Sequence, residues 1–361
     1  MDSLHQLLIS AANKAGFPLA GALDIDLALP HLSPHVDQYD QWLEKGYAGK
    51  MQWLTRGRDR RTDPRQVFPE AESILCVAIP YSPRSTNPPP SIGPKYARYL
   101  VGKDYHEEIA QKLETAMQSM NVPDLKWKVC VDTSAILERS WAALAGLGWI
   151  GKNTLLINPQ HGSYLFLAEV LINQKVGRGP APLPDFCGNC SRCLDSCPTK
   201  AFPKPHVLNA NECISYLTLE KRGEHDASPE LQGKIGSWVA GCDICQEVCP
   251  FNTKPTRAAL EPTELGALAG QSWEFLIEES PEQYKARVRE SSLSRVKPAD
   301  FSRNLAIALL NTFQDSSPDE RTDLKNRLVP LVTIRITQEQ DPVARAHWTK
   351  SLDCLAKPQS Q

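Results

Sequence analysis

The sequence predicts a mixed α+β or α/β fold in three parts: an N-terminal domain of alternating helices and strands, a cysteine-rich module, and a C-terminal cap of helices. Three observations support this prediction. Helical and extended hydrophobic patterns alternate over the first 176 residues. Eight of the eleven cysteines lie between positions 187 and 249, and mostly helical patterns follow residue 252. The predicted parts are therefore residues 1–176, 177–252 and 253–361.

The N-terminal domain combines four predicted helices with five predicted strands. The helices are Ser3–Ala15, Val36–Lys45, Tyr105–Met120 and Ser134–Ala145. The strands are Gly21–Ile25, Ile74–Ile79, Lys126–Val131, Thr154–Ile157 and Tyr164–Ile172. A proline-rich segment over residues 81–94 is predicted to be a surface loop, because three consecutive prolines fit neither a helix nor a central strand.

Four amphipathic patterns follow the cysteine-rich module. They cover Thr263–Ile277, Ser302–Phe313, Arg321–Ile334 and Asp341–Leu355. Successive helices of this kind are typical of a paired-helix, HEAT-like cap. Simple packing of helices against the core is the alternative.

Composition and charge limit the possible partners. The chain has 361 residues, of which 41% are hydrophobic and 23% charged, as in an ordinary globular protein. No apolar run has the length of a membrane span and the N-terminus lacks a signal-peptide pattern, so we expect a cytoplasmic protein without membrane contact. The net charge of -2 gives no overall attraction to nucleic acid, so an RNA partner would need a local basic surface.

Two basic stretches are candidates for such a surface. Solvated helix faces and loops are the simpler interpretation of each stretch taken alone. The stretches are Arg56, Arg58, Arg60, Arg61 and Arg65, and then Lys285, Arg287, Arg289, Arg295, Lys297 and Arg303.

The clustered cysteines predict iron–sulfur ligation. Cys187, Cys190, Cys193 and Cys197-Pro198 follow the spacing C-x2-C-x2-C-x3-C-P, in which three thiolates bind one 4Fe-4S cluster and the fourth reaches a second. A second set has no local third ligand, and Cys213 can replace it. This second set is Cys242, Cys245 and Cys249-Pro250. Zinc fits poorly, because it would need separate four-cysteine sites.

The spacing predicts a crossed ligand arrangement in a module like bacterial ferredoxins. One cluster is assigned to Cys187, Cys190, Cys193 and Cys249, and the other to Cys197, Cys213, Cys242 and Cys245. Two adjacent clusters carry single electrons, but they do not define a substrate. The cysteines outside the module, Cys76, Cys130 and Cys354, are expected to be small buried hydrophobic residues.

Two features of the N-terminal domain are candidates for the remaining chemistry. The segment from Gly146 to Gly151 matches G-x-G-x-x-G, but a helix precedes it and a strand follows, which is the reverse of a dinucleotide site. A glycine-rich bend packed against a large flat ligand fits better. Asp132 ends a predicted strand, where it could cap the next helix or act as an acid at a pocket floor. Its position alone favours the cap, and the two roles are compatible.

Several motifs together resemble those of epoxyqueuosine reductases, cobalamin-dependent iron–sulfur enzymes that complete queuosine at the wobble position of transfer RNA. The resemblance covers most of the chain. Besides both cysteine sets, the matching segments are 51–56 (MQWLTR), Arg98-Tyr99, 104–106 (DYH), Val131-Asp132, 137–139 (LER), 145–152 (AGLGWIGK) and 213–218 (CISYLT).

This resemblance implies a cobalamin between the N-terminal domain and the cluster module, with Asp132 as the proton donor. The positions that match corrinoid contacts are Arg56, Asp132, Leu156, Leu167, Ser215, Arg222, Cys242 and Asp243. Leu156 and Leu167 can equally well be interpreted as core residues of their strands. His106 is not assigned as a cobalt ligand, because Ile109 stands where the motif D-x-H-x-x-G requires glycine.

The implied reaction is reduction of epoxyqueuosine to queuosine in a transfer RNA anticodon stem-loop. An external low-potential donor supplies the electrons, and the protein is expected to be a monomer. Two alternatives stay open. One is a reductive dehalogenase-like enzyme acting on a small molecule, although such proteins usually carry an export signal that is not seen here. The other is a two-cluster electron carrier, which would leave Asp132 without a purpose.

Overall fold

A computed structural model describes residues 3–81, 92–223, 227–253 and 270–357. Within these ranges the helices are α1 (Leu4–Lys14), α2 (Ile25–Glu44), α3 (Gln52–Arg56), α4 (Arg58–Thr62), α5 (Tyr105–Ser119), α6 (Glu138–Leu144), α7 (Arg192–Asp195), α8 (Ile214–Leu219), α9 (Pro229–Gly233), α10 (Ile244–Glu247), α11 (Trp273–Glu278), α12 (Pro281–Val288), α13 (Pro298–Asp315), α14 (Pro318–Gln338) and α15 (Pro342–Ala356). The strands are β1 (Leu19–Asp24), β2 (Ser73–Pro80), β3 (Lys95–Tyr96), β4 (Trp127–Cys130), β5 (Trp149–Ile150), β6 (Leu156–Ile157), β7 (Leu165–Ile172) and β8 (Trp238–Ala240).

The main sheet has four strands in the order β1-β2-β7-β4, and every neighbouring pair is antiparallel. The N-terminal part is therefore α+β, and its α/β interpretation was wrong. Alternating helices and strands suggested parallel crossovers. Here α2 and α6 instead lie between sheet neighbours that run in opposite directions, β1 and β2 for α2 and β4 and β7 for α6. Because all eight residues of β2 are buried, its continuous apolar run did not distinguish a central antiparallel strand from a parallel one.

Helices cover both faces of this sheet. On one face, Ile74 and Leu171 pack with Trp141 of α6 and with residues of α2. On the other face, Leu75 and Val170 pack with residues of α1 and α5. The sheet is thus the middle layer of three, and loops that leave its strand ends are free to form a site.

Two helices differ from their predicted bounds in ways that matter for the site. Helix α2 begins at Ile25, eleven residues before the predicted start, and continues through Pro30 and Pro34. Helix α6 begins only at Glu138, with Leu137 at its N-cap position. Asp132 therefore caps no helix, and the expectation that it does was wrong. It lies in the loop between β4 and α6.

The C-terminal helices pack around α13, and their core also includes Leu219 of α8 and Val239 of β8. Helix α12 was missed in the sequence. The first seven residues of the predicted helix Thr263–Ile277 and most of the proline-rich segment, residues 82–91, lie outside the described residues. In the part of the chain that the structure describes, no helix has both the length and the apolar character needed to cross a membrane.

Candidate active site

Asp132 lies directly after the end of β4 in an unusual backbone conformation. Its φ of 46° is in the left-handed region, which a residue other than glycine rarely adopts. Its backbone N–H donates to Oε1 of Glu138 at 2.8 Å, which stabilises this turn. The side chain is 43% exposed, so the carboxylate is accessible to a ligand.

The carboxylate of Asp132 is paired with His106. Oδ2 of Asp132 lies 3.1 Å from Nε2 of His106, and Nδ1 of His106 lies 2.5 Å from Oδ1 of Asp104. Burial alone would raise the pKa of Asp132, but the hydrogen bond and charge of His106 lower it overall, with help from Arg295 and Arg61. Burial likewise acts to lower the pKa of His106, and its two carboxylate partners outweigh that effect and raise it.

His106 is held in place by the start of α5 and by stacked rings. Asp104 is the N-cap of α5 and accepts from the backbone N–H of His106 at 3.0 Å. The ring of Tyr105 stacks on His106 and on Phe166, with centroids 4.1 and 3.9 Å apart. Tyr81 continues the stack at 4.3 Å from Phe166. Both ring nitrogens of His106 are engaged by carboxylates, which agrees with leaving it out as a cobalt ligand.

Two further carboxyl groups lie behind Asp132. Glu138 has its pKa raised to about 7, first by burial and then by the charge of Asp132. Glu169 of β7 is fully buried, and neither of its oxygens has a hydrogen-bond partner among the described residues. Burial, followed by the charges of Glu138 and Asp132, raises the pKa of Glu169 well above its usual value. Neither residue was a candidate in the sequence.

Two arginines from different parts of the chain act on Asp132. Arg61 of α4 stacks over the ring of Trp53, 4.9 Å from its centroid. Arg295 pairs with Glu220 and lies within electrostatic range of Asp132. Each belongs to one of the two basic stretches, so the stretches meet near this acid, which their separation in the sequence did not indicate.

The four cysteines assigned to the first cluster, from here on called the first cysteine set, lie beside an aromatic cluster at the β5–β6 hairpin. Cys187 and Cys249 pack with Trp149 and Phe251, and the indole N–H of Trp149 lies 3.5 Å from Sγ of Cys187. Lys152 donates to the carbonyl oxygens of Gly188 and Cys190. Burial, and then the charges of Cys187 and Cys249, raise the pKa of Cys193 to about 11. Burial and the neighbouring Cys187 and Cys190 raise that of Cys249.

The four cysteines assigned to the second cluster, from here on called the second cysteine set, lie against a different core. Cys213 and Cys242 pack with Ile214 and Trp238. Burial raises the pKa of Cys242, and the charges of Cys213 and Cys197 add to it. The pKa of Cys245 is raised by burial and then by Cys242 and Cys213, and also by Cys193 of the first set. The two sets therefore adjoin.

The structure brings the cysteines together in the two groups that the crossed assignment requires, while the ligation itself stays a prediction. All eight are free thiols. Within the described ranges, no three His, Cys, Asp or Glu side chains are arranged around a single metal ion. A 4Fe-4S cluster differs from such a site, because each thiolate binds a different iron. Partly buried thiols without disulfides and with nearby backbone N–H groups fit such a cluster.

The candidate corrinoid positions lie on several elements of the N-terminal domain and of the cysteine-rich module. Leu156 of β6 is buried, and Leu167 of β7 packs with it in the same core. The backbone N–H of Ser215 donates to the thiol of Cys213. Arg56 is exposed at the end of α3. Arg222 donates to the carbonyl oxygen of Arg295 at 2.8 Å, which directs it toward the C-terminal helices.

Asp243 has an internal role that the sequence did not indicate. It is 1% exposed, and its Oδ2 accepts from the backbone N–H of Arg98 at 2.7 Å. Burial raises its pKa to about 6. Tyr99 lies within electrostatic range of both Asp132 and Asp243, so the acid and the second cysteine set flank the same tyrosine. Any contact of Asp243 with a ligand would have to involve its backbone.

The glycine-rich bend packs against protein. A Cβ added to Gly148 would lie 2.3 Å from the carbonyl oxygen of Ile157, and one added to Gly151 would lie 2.3 Å from Cδ1 of the same residue. A Cβ on Gly146 would meet Pro180. These glycines therefore permit tight packing of the β5–β6 hairpin and of the following segment, and the expected ligand does not account for them. Helix α6 precedes the segment Gly146–Gly151, β5 lies within it and β6 follows it, so the strand–turn–helix order of a dinucleotide site is absent here.

Together, a histidine-paired aspartate at the edge of an antiparallel sheet and two adjoining four-cysteine sets define an iron–sulfur oxidoreductase. The family described as "4Fe-4S double cluster binding domain" matches residues 186–252, and "Epoxyqueuosine reductase QueG, DUF1730" matches residues 61–133. An epoxyqueuosine reductase of a Synechococcus species is 35% identical over 315 residues, covering 84% of this chain and 94% of that protein. One from Cyclobacterium marinum is 36% identical over 307 residues, covering 83% and 95%. The chain belongs to the epoxyqueuosine reductase family.

Solved structures share the fold over nearly the whole chain. An epoxyqueuosine reductase crystallised with an epoxyqueuosine-modified tRNA-Tyr stem loop covers 98% of this chain and 99% of its own, with a TM-score of 0.78 and 27% identity. The enzyme from Bacillus subtilis, with its catalytic aspartate loop swung out of the active site, covers 97% and 98%, with a TM-score of 0.77 and 26% identity. The mixed helix and sheet fold and the double-cluster module are thus those of this family.

Proposed function

We propose that this chain reduces epoxyqueuosine to queuosine at the wobble position of transfer RNA, with electrons carried by two 4Fe-4S clusters to a bound cobalamin. Membership of the family supports the reaction, and a relative crystallised with an epoxyqueuosine-modified stem loop supports the RNA substrate. The observation that carries the proposal at the level of residues is the half-exposed Asp132. It is paired with His106 and shares Tyr99 as a neighbour with the second cysteine set.

The proposed ligands of the first cluster are Cys187, Cys190, Cys193 and Cys249, and those of the second are Cys197, Cys213, Cys242 and Cys245. This division is supported by the two separate cores against which Cys187 and Cys213 pack. It is also supported by the mutual electrostatic influence of the thiols within each group. Cys193 lies within electrostatic range of Cys245, which supports two neighbouring clusters that exchange electrons.

Cobalamin fits the region between the sheet and the second cluster. The hydroxyl of Tyr164 is buried there without a hydrogen-bond partner among the described residues, within electrostatic range of Asp243 and Cys245. Such a group requires a polar partner, which a bound ligand can provide. The proposed contacts are Arg56, Asp132, Leu156, Leu167, Ser215, Arg222, Cys242 and Asp243. When bound, cobalamin supplies the strongly reducing centre that the epoxide requires.

Asp132 is proposed to protonate the oxygen that leaves the epoxide. An alkoxide is a poor leaving group, so a positioned acid accelerates the reaction. The turn that Glu138 stabilises presents the carboxylate outward, and His106 keeps its Oδ2 in a fixed direction. Arg295 and Arg61 favour the negative charge that remains on Asp132 after it has given up its proton.

The remaining parts of the proposal concern the whole chain. We divide it into a cobalamin-binding domain at 1–176, a ferredoxin-like domain at 177–252 and a HEAT-like helical domain at 253–361. The C-terminal core includes residues of α8 and β8, so the last two domains are expected to fold together. We further propose that the protein is a monomer that receives electrons from an external low-potential donor.

The test of this proposal is the change Asp132→Asn. We expect turnover on epoxyqueuosine-containing RNA to fall by at least about 100-fold, because a positioned proton donor contributes this much or more. Iron content should stay near eight per chain, and cobalamin should remain bound after desalting. Asp124→Asn is the matched control, because Asp124 is also an exposed aspartate in the left-handed region, at φ 54°.

Three outcomes would contradict parts of the proposal. Full turnover of the Asp132→Asn variant would exclude Asp132 as the donor. About eight irons without retained corrinoid would indicate an electron carrier. If the protein retained corrinoid and turned over an organohalide but did not turn over the RNA, it would be a dehalogenase-like enzyme.

A further inference from the structure

The proposed reaction requires more protons than one aspartate can hold. Removal of an epoxide oxygen as water breaks two C–O bonds and forms two O–H bonds. It consumes two electrons, which the clusters deliver, and two protons. One carboxyl group supplies one proton, so Asp132 must be protonated again within each turnover, and its immediate neighbours determine the source.

The only group hydrogen-bonded to the Asp132 side chain, among the described residues, is His106. Its Nε2 lies 3.1 Å from Oδ2 of Asp132. Its other nitrogen, Nδ1, lies 2.5 Å from Oδ1 of Asp104. The histidine side chain is 21% exposed, so it is largely sheltered yet still reaches solvent. An imidazole between two carboxylates is arranged to hold a proton on each nitrogen.

The surrounding charges determine where the proton rests. His106 faces Asp104 at the start of α5, Asp132 in the loop after β4, and the stacked ring of Tyr105. Farther out, Arg295 and Arg61 act on Asp132, and Glu138 lies behind it. The two carboxylates raise the pKa of His106, while the pKa of Asp132 is lowered. Both effects favour a proton on the histidine and a negative charge on the aspartate.

We propose that His106 is the proton store behind Asp132: each proton delivered to the epoxide oxygen passes from Nε2 of His106 to Oδ2 of Asp132 and then to the substrate. This inference rests on the proposed function, because it needs Asp132 as the donor. After each transfer His106 is neutral, with its Nδ1–H donated to Asp104, and it takes up a new proton from solvent. The store is used twice per turnover, once for each O–H bond.

His106 acts through Asp132, so it is a positioning residue with a proton-supplying role, and its effect should appear in the pH profile. Turnover should fall as pH rises through the raised pKa of His106, because the neutral ring has no proton to pass on. In the His106→Gln variant, turnover should be about 10- to 100-fold lower and this dependence should be absent. His5→Gln, a histidine on α1, is the matched control and should keep the profile of the unchanged protein.

The change Asp104→Asn separates proton storage from simple positioning. Asparagine keeps an oxygen that can accept from Nδ1, and it also caps helices well, so α5 and the ring orientation should be retained. The negative charge is lost, so the pKa of His106 should fall. We expect the pH above which turnover falls, its high-pH limit, to be lower than in the unchanged protein. Turnover at low pH should stay close to that of the unchanged protein. An unmoved limit would overturn the proposal.

Nitrogen NMR of the holoenzyme tests the same point without substrate. In ¹⁵N-labelled protein, the His106 ring should give imidazolium signals at pH 7, and Asp132→Asn should lower its titration midpoint. A neutral His106 ring at pH 7 would overturn the proposal whatever the RNA assay gives. Full turnover by Asp132→Asn together with an imidazolium His106 would instead contradict the proposed role of Asp132 as the donor, and with it the use of this store.

Discussion

Glu169 places a carboxyl group in the middle of an apolar sheet face. In the register of the sheet it lies opposite Cys76 of β2 and Cys130 of β4, and all three are at most 1% exposed. Helix α6 covers this face with Trp141, whose indole N–H also has no partner in the described part of the chain. An ionised carboxylate here would be strongly disfavoured, so Glu169 is neutral in the native protein.

The raised pKa of Glu169 makes stability depend on pH. The unfolded chain releases this proton near pH 4.3, whereas the native protein keeps it to a much higher pH. Native stability therefore falls as pH rises above that value, by about 1.4 kcal/mol per pH unit while only the unfolded state is ionised. Glutamine is neutral in both states, so the free energy of unfolding of Glu169→Gln, relative to the unchanged protein, should increase between pH 5 and pH 8.

Chemical denaturation at the two pH values measures this difference. Glu107→Gln is the matched control: Glu107 is exposed on α5, so this change removes a carboxylate from the surface and separates the effect of burial from that of net charge. If Glu169→Gln changed the free energy of unfolding by the same amount at both pH values, Glu169 would not be a neutral, buried carboxyl group in the native protein.

At the scale of elements, helix α13 joins the C-terminal helices to the cluster module. Asn304 is 2% exposed, and its side-chain amide donates to the carbonyl oxygens of Thr218 and Val239 at 2.7 and 3.1 Å. Arg303 next to it is 1% exposed and donates to the carbonyl oxygens of Lys221 and Gly223. Two polar side chains in succession thus satisfy four backbone carbonyl groups that flank the second cysteine set.

The change Asn304→Leu should therefore destabilise the protein by about 2–4 kcal/mol, because it leaves two buried carbonyl groups without a donor. The shift in the urea unfolding midpoint, followed by tryptophan fluorescence, measures this loss. Gln314→Leu, which replaces an exposed amide on the same helix, should change stability by no more than about 0.5 kcal/mol. Equal effects of the two changes would mean that the contacts of Asn304 contribute nothing.

Helices and strands with a regular period were predictable, and their exceptions have physical causes. Helix α1 and strand β7 agree with the prediction to within one residue at each end, because their apolar patterns are regular. The predicted start of α2 at Val36 was too late, because the helix tolerates Pro30 and Pro34 within its first ten residues. For α6, the helical pattern in the sequence begins at Ser134, but the helix begins at Glu138. The turn at Asp132, whose backbone N–H donates to the side chain of Glu138, takes up the residues before it.

The site was predictable only where spacing determines chemistry. The local run from Cys187 to Cys197 indicates iron–sulfur ligation by itself. Asp132 was found through its position after a strand and through family resemblance. The pairing of Asp132 with His106 joins residues 26 positions apart on different elements, and no local pattern encodes such a contact. Glu169 lies in a strand with the pattern of ordinary core, which gave no signal of a buried acid.

At the scale of the whole molecule, most of the basic residues predicted to bind RNA have partners within the protein. Arg58 pairs with Asp40, and Arg287 pairs with Glu279 while largely buried. Arg303 of α13 is almost completely buried. Among the residues that the structure describes, the exposed members of the two stretches outside any ion pair are Arg56, Arg60, Lys285 and Lys297. Arg289 is also exposed, and its one ion pair is a 3.5 Å contact with the exposed Glu290. The surface available for phosphate contacts is therefore smaller than the count of basic residues suggested.

This smaller surface limits the expected salt dependence of RNA binding. With two or three phosphate contacts, affinity for a stem-loop should fall by about 10- to 40-fold between 50 and 200 mM salt, whereas six to ten contacts would give about a thousandfold or more. Filter binding at several salt concentrations measures the slope. Affinity that does not change with salt would argue against phosphate contacts altogether.

Arg289 is the basic residue to change first. It neighbours Glu290, whose carbonyl oxygen accepts from the backbone N–H of Asp104 at 2.8 Å, so it lies beside the proposed proton store. The change Arg289→Gln should reduce the slope of log affinity against log salt concentration by about 1, which is the contribution of one phosphate contact. Lys14→Gln on the exposed side of α1 is the matched control and should leave the slope as it was.

The grouping of Cys249 with Cys187 also has a consequence for biosynthesis. On the proposed ligation, one cluster has its last ligand at Cys249 and the other at Cys245, so neither can be completed on a nascent chain that stops short of these residues. A partly synthesised chain that ends just before Cys245 would carry only three ligands of each cluster. Maturation of both clusters must therefore follow translation of the entire module, and a truncation before Cys245 would lose both clusters at once.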